Sequence, residues 1–134
     1  MKILFAILSV DIHNRAALVL CQAFRDAGME VIYPGYGLTP SMLASIAEQE
    51  DPDVICLSSH QGFHTQLFPV LMEELKQRGL TIPVVAGGSI PDKDKPLLEG
   101  MGISGNFGPG TPLPVIIDHV RKRAHEKQDS AKDL

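Results

Sequence analysis

At 134 residues and 14.5 kDa, with 44% hydrophobic and 21% charged residues, the chain has the size and composition of one globular domain with a buried core. A net charge of −4 and a pI near 5.7 exclude the basic footprint of a nucleic-acid binder, and 5% aromatics with no Trp leave no base-stacking platform. No apolar run reaches membrane-spanning length, and the apolar run after Lys2 is cut off by Asp11 before it resembles a signal peptide, so a cytoplasmic protein is expected.

The predicted elements alternate from the first residues. Strand one covers Lys2 to Leu8, and a helix from Asn14 to Ala27 places Ala17, Leu20, Cys21 and Phe24 on one face before Gly28 ends it. Strand two is Glu30 to Tyr33. After Pro34-Gly35-Tyr36-Gly37, Thr39 is expected to cap a helix with Pro40 at its first position and Leu43, Ile46 and Ala47 inward. Strand three, Asp53 to Leu57, delivers the polar cluster Ser58-Ser59-His60-Gln61-Gly62. A third helix, His64 to Gln77, is expected to turn Leu67, Val70, Leu71 and Leu75 inward. Strand four, Ile82 to Ala86, ends in Gly87-Gly88, and a short helix spans Asp92 to Glu99. Strand five, Ile103 to Phe107, runs into Gly108-Pro109-Gly110-Thr111-Pro112. Thr111 is expected to cap a last helix with Leu113, Ile116, Ile117 and Val120 inward. The domain is expected to span 1–126, with 127–134 a flexible charged tail.

Apolar strands each followed by a helix predict a doubly wound α/β fold. Five such units suggest a flavodoxin-like parallel sheet of order 2-1-3-4-5 with helices on both faces. Its switch point lies between strands one and three, and the two polar clusters follow those strands. At the first, Asp11 stands two positions before His13. A carboxylate there can take the proton of one ring nitrogen and leave the other as an oriented ligand or base. A phosphate-accepting receiver domain calls for an Asp where Ser58 stands and a Lys near Phe107-Gly108. A flavin phosphate loop calls for Ser, Thr and Gly where this chain has Asp-Ile-His-Asn-Arg.

The ordered set Asp11-x-His13-x-x-Ala16, Ser58-x-His60 and Gly87-Gly88 resembles the cobalamin-binding signature Asp-x-His-x-x-Gly, Ser-x-Leu, Gly-Gly. The stretches from Arg25 to Tyr33 and from Phe107 to Pro112 are similar to the B12 domain of methylmalonyl-CoA mutase-type enzymes. The resemblance runs from Lys2 to Lys122. It implies that His13 is the lower axial ligand to cobalt, replacing the dimethylbenzimidazole base, with Asp11 bonded to the far side of the imidazole. It further implies that Ser58 bonds the displaced benzimidazole, that Gly87 and Gly88 let the backbone approach the nucleotide tail, and that Phe107, Gly108, Gly110 and Thr111 complete the tail pocket. Asn14, Arg15, Ala16, His60 and Gly62 fall within or beside these elements and are counted with the cofactor-binding set. Two positions depart from the pattern: Ala16 adds a methyl where the family has Gly, and His60 places an ionisable ring where the family has Leu.

Other residues have simpler readings. Cys21 and Cys56 belong to no metal spacing and read as reduced core thiols. His60 and His64 could join His13 in a zinc-like cluster. His119 and His125 fall in the charged last helix and are expected to be solvated, and Arg15 is equally an exposed helix-start residue.

The resemblance implies a cobalamin-binding small subunit of an adenosylcobalamin-dependent acyl-CoA mutase, catalysing a radical carbon-skeleton isomerisation. A (β/α)₈ substrate barrel alone needs about 250 residues, so a separate large acyl-CoA-binding subunit is the expected partner. Two alternatives stay open: a small subunit of a glutamate mutase-like enzyme, and a B12-type domain acting as a non-catalytic binding or regulatory module, which His60 favours. Corrinoid methyl-transfer proteins carry an N-terminal helical cap, for which Met1 is expected to leave no room.

Overall fold

The computed structural model describes residues 1–8, 15–35, 37–59 and 64–132, with side chains to residue 126. Five βα units follow one another: β1 (Lys2–Ile7), α1 (Arg15–Asp26), β2 (Glu30–Ile32), α2 (Pro40–Glu50), β3 (Val54–Ser59), α3 (His64–Gln77), β4 (Val84–Gly88), α4 (Lys95–Gly100), β5 (Ile103–Phe107) and α5 (Leu113–Lys132). The strands form one parallel sheet of order β2-β1-β3-β4-β5. That is the expected doubly wound order. Its reversal between β1 and β3 opens a crevice at their carboxyl ends.

Because β1 and β3 are apolar on both faces, each strand feeds two cores. Leu4, Ala6, Ile55, Leu57, Val84 and Ala86 face one layer and pack with Leu43, Ala47, Phe68, Leu71, Leu75 and Leu98 of α2, α3 and α4. Ile3, Phe5, Ile7, Val54, Cys56 and Val85 face the other and pack with Ala17, Cys21 and Phe24 of α1 and Val120 and Ala124 of α5. α2 and α3 pack extensively on one another, whereas α1 and α5 meet over a smaller region.

Local rules account for most boundaries. The Thr39 hydroxyl accepts from the Met42 amide at 3.1 Å, ahead of Pro40 at the first helical position. At the other end of α2, Asp51 turns left-handed and its amide returns to the Ala47 carbonyl.

Several expectations need correction. β3 extends through Ser59 and β4 through Gly88, so Ser58, Ser59, Gly87 and Gly88 are strand residues rather than loop residues. Parallel neighbours supply ladder bonds to the end of each strand and override the low strand preference of Ser and Gly. The fourth helix is a 3-10 turn, Asp92–Asp94, leading into α4. In α3, Val70 is 48% exposed and Phe68 is buried in its place. The buried stripe His64, Phe68, Leu71 and Leu75 sets the helical phase, and Val70 lies off it. Leu113, at the start of α5, is likewise exposed rather than part of the buried core.

Candidate functional site

The strand register assembles the site from the sequence. Ile7, Ser58, Gly87 and Phe107 stand side by side across β1, β3, β4 and β5. Two residues earlier on β1, β3 and β4, and three earlier on β5, Phe5, Cys56, Val85 and Ser104 form a parallel row. Strand alternation puts both rows on the α1/α5 face. The upper row is small at Ser58 and Gly87, so the two helices do not close on the sheet there.

The result is a cleft of about 270 Å³ at the switch point. Its floor is Phe5, Cys56, Ser58, Val85 and Gly87. Ala16, Val19, Leu20 and Phe24 of α1 form one wall, and Leu113, Ile116 and Val120 of α5 form the other. The turn Gly108-Pro109-Gly110-Thr111 closes one end. Ser58 brings a buried hydroxyl to a surface otherwise made mostly of carbon. Burial pushes the Cys56 thiol far above its ordinary range, so it meets the cleft as a neutral, unreactive group; burial also raises Cys21, against the opposing field of Arg25.

The rim is backbone at close range. Gly88 has a φ of +121°, and a β-carbon there would lie 2.1 Å from the Ser59 carbonyl oxygen. The Ser59 carbonyl also accepts from the Ser89 amide at 2.8 Å, which fixes the end of β4 against β3. Between Ala86 and Gly87 the pairing with β5 shifts, so that Asn106 is bulged out of the ladder in the left-handed region, at φ 52°. Its buried amide donates to the Ile103 carbonyl at 3.1 Å, while its Oδ1 has no partner among the described residues. The bulge re-aims Phe107 onto the cleft face. Thr111, expected as a helix cap, donates its hydroxyl to the Gly108 carbonyl at 2.7 Å and closes the turn on itself. A turn this tight satisfies the hydroxyl locally, ahead of a helix that begins at Leu113.

Ala16, Ser58, Gly87, Gly88, Phe107, Gly108, Gly110 and Thr111 therefore come together around the cleft. Arg15 does not line the cleft; it is exposed at the start of α1. Asp11, His13, Asn14, His60 and Gly62 lie outside the described residues.

Two histidines are held by contacts that the sequence does not mark. His64 is buried, with Nδ1 3.5 Å from Ser59 Oγ and Nε2 2.9 Å from Asp94, so it ties α3 to the turn before α4 and does not face the cleft. Among the described residues no three His, Cys, Asp or Glu side chains gather as a metal site. His119 is half-buried rather than solvated, with Nε2 2.8 Å from Ser104 Oγ. Sequence reasoning also missed Phe5, Val19, Leu20, Phe24, Cys56, Val85, Ile116 and Val120 as cleft residues. Apolar periodicity marks an inward face without saying whether protein or ligand fills it.

The cleft lies just below the ~300–1,000 Å³ of small-molecule sites. It suits one flat, largely apolar limb of a ligand with a hydrogen-bonding atom for Ser58, and the bulk of a macrocyclic ligand must stay outside, at the sheet edge. The backbone rim at Gly87 and Gly88 fits a cobalamin nucleotide tail in that respect: it offers close approach without side chains.

Comparison with known proteins gives a consistent picture. The B12 binding domain family matches residues 1–117. The chain is 37% identical to the 2-hydroxyisobutanoyl-CoA mutase small subunit of Aquincola tertiaricarbonis, covering 90% of this chain and 89% of that one. It is 39% identical to methylmalonyl-CoA mutase of Escherichia coli, again over 90% of this chain but only 16% of the relative. Among solved structures, a cobalamin-binding protein from Desulfitobacterium hafniense superposes with a TM-score of 0.76 at 18% identity, covering 91% of this chain and 58% of that one. A signal receiver domain from Vibrio parahaemolyticus superposes with a TM-score of 0.74 at 10% identity, covering 98% and 96%. Such likenesses speak to the fold alone, so the residues at the switch point must separate the functions.

Proposed function

The chain belongs to the B12-binding domain family, and from that membership we propose that it is the cobalamin-binding small subunit of an acyl-CoA mutase, an isomerase that works with a separate catalytic subunit. One observation carries the reading. The apolar cleft at the switch point is built from Ser58, Gly87, Gly88 and the Gly108–Thr111 turn, in a chain that spans 89% of a mutase small subunit.

The finer assignment follows the chemistry of the residues. Adenosylcobalamin, when bound, supplies a cobalt–carbon bond whose homolysis begins radical rearrangement; the protein supplies binding and orientation. His13 would supply the imidazole that holds the cobalt, and Asp11 would accept the proton of the other ring nitrogen, fixing the tautomer and raising the basicity. In the cleft, Ser58 would offer its hydroxyl to the nucleotide tail and the α1 and α5 walls would exclude water from it. Gly87 and Gly88 bring backbone against the tail. Asn14, Arg15, His60 and Gly62 are counted with the cofactor-binding set because they fall within or beside the family's motif elements. The corrin would be held outside the cleft, and a large (β/α)₈ partner subunit would bind the acyl-CoA. No helix among the described residues is long and apolar enough to cross a membrane, which is consistent with a cytoplasmic enzyme.

The test is anaerobic reconstitution with adenosylcobalamin. The expected product shows a base-off absorption spectrum, and its cob(II)alamin form shows a nitrogen superhyperfine splitting that changes when the protein's histidines carry ¹⁵N. His13→Ala removes that splitting. A splitting indifferent to the label overturns His13 as ligand, and an absence of any cobalamin binding overturns the function.

A further inference from the structure

His119 lies outside the cleft and belongs to none of the motifs that mark it. It nevertheless touches both rows of the floor. Its Nε2 shares a hydrogen bond with Ser104 Oγ at 2.8 Å, at the β5 end of the lower row. Its ring meets the Phe107 ring at 5.4 Å between centroids and 86° between planes, at the β5 end of the upper row. Such edge-on contacts are the preferred aromatic geometry.

Phe107 is held from a second side. A β-carbon on Gly105 would lie 2.9 Å from both Phe107 Cε2 and Val85 Cγ1, and Gly105 has a φ of +82°. The Phe107 ring therefore lies across Gly105 in space that only glycine leaves open. Gly105 receives one side of the ring and His119 bounds another. The Phe107 backbone is equally close to the rim, its carbonyl oxygen 3.3 Å from where a Gly87 β-carbon would sit. Phe107 is thus the cleft residue whose orientation depends on a group outside the cleft.

We infer that His119 is a positioning residue for the cofactor tail: bonded to Ser104, it sets the orientation of Phe107 and so the fit of the nucleotide in the cleft. The inference rests on the reading of the cleft as the tail site. The electrostatics agree with an uncharged ring in this role. Burial lowers the His119 pKa from its ordinary value, Arg123 and Lys122 act the same way, and Glu126 opposes them. Of the elements packed against α5, β3 and β5 carry no charged side chain and α1 carries Arg15, Arg25 and Asp26. A neutral imidazole can hold Ser104 without the cost of a charge beside an aromatic wall.

The experiment compares cobalamin with cobinamide, the same corrin without its nucleotide tail, on the full chain. Wild type is expected to bind cobalamin more tightly than cobinamide. His119→Ala should reduce that preference by about three- to tenfold, the size expected when one modest hydrogen bond no longer preorganises the site. His119→Gln, whose amide can share the bond with Ser104, should keep most of it. In a Phe107→Leu background, removing the imidazole should have no further effect. Full retention of the preference in His119→Ala overturns the inference, as does an undiminished loss in the Phe107→Leu background. Equal binding of the two corrinoids by wild type overturns the cleft reading, and the inference with it.

A measurement without cofactor guards against variants that fold poorly. The His119 imidazole proton resonance should carry a ring-current shift that collapses in Phe107→Leu. A resonance unmoved by that substitution means the two rings are not coupled, and the inference fails.

Discussion

Gly88→Ala is the most severe single-methyl change available at the rim. The added carbon meets the Ser59 carbonyl at 2.1 Å in a backbone conformation that L-residues avoid. Strain of this kind, with β3 and β4 clamped by the Ser59–Ser89 bond, should cost at least about 2 kcal/mol; a urea denaturation midpoint close to wild type would contradict it. His119 makes a different prediction. Folding lowers its pKa, chiefly by burial, so the unfolded chain takes up the proton more readily as pH falls below 6.5. The stabilisation is present above that value and is lost as pH drops through the folded-state value. Urea midpoints measured from above to below pH 6.5 should fall more steeply for wild type than for His119→Gln. At this scale the sequence was a good guide to Ser58, Gly87 and Gly88, because each is an exception to the apolar strands around it. It was a poor guide to His119, because a histidine in a charged helix carries no local sign that a serine and an aromatic ring on another element will meet it.

Helix α3 shows what an element's pattern can and cannot specify. Its span, His64–Gln77, follows from the sequence, but Leu67, Phe68, Val70 and Leu71 permit more than one apolar stripe. The choice falls to a contact across space: His64 is pinned by Ser59 and Asp94, which rotates Phe68 inward and Val70 out. Phe68→Ala should therefore cost about 3–5 kcal/mol by opening a cavity, and Val70→Ala within about 0.5 kcal/mol of nothing. Chemical denaturation of the two variants separates these outcomes; equal losses would return Val70 to the core. The sheet order was legible for the opposite reason. Five apolar strands joined by helices admit few right-handed parallel arrangements, and the polar residues after strands one and three mark where the order reverses. Strand ends were not legible, since ladder bonds from neighbours carry β3 and β4 past their apolar runs into Ser58-Ser59 and Gly87-Gly88.

For the molecule as a whole, the two helical layers have different tasks. The α2/α3/α4 layer is packed with buried aliphatic and aromatic side chains, while the α1/α5 layer gives up part of its contact with the sheet to form the cleft. Amide exchange should divide along the same line. The β1 and β3 amides, covered on both faces, should be the slowest in the chain, and those of α1 and α5 should open at lower free energy than those of α2 and α3. Cobalamin should slow α1 and α5 and leave α2 and α3 nearly unchanged; uniform protection would mean that the layers open together. The difference has a consequence for how such a chain changes over generations. Substitutions that adjust overall robustness can accumulate beneath α2 and α3 without being felt by the ligand. Those beneath α1 and α5 are judged twice, once for folding and once for fit, so ligand preference can drift on one half while the other half preserves the architecture.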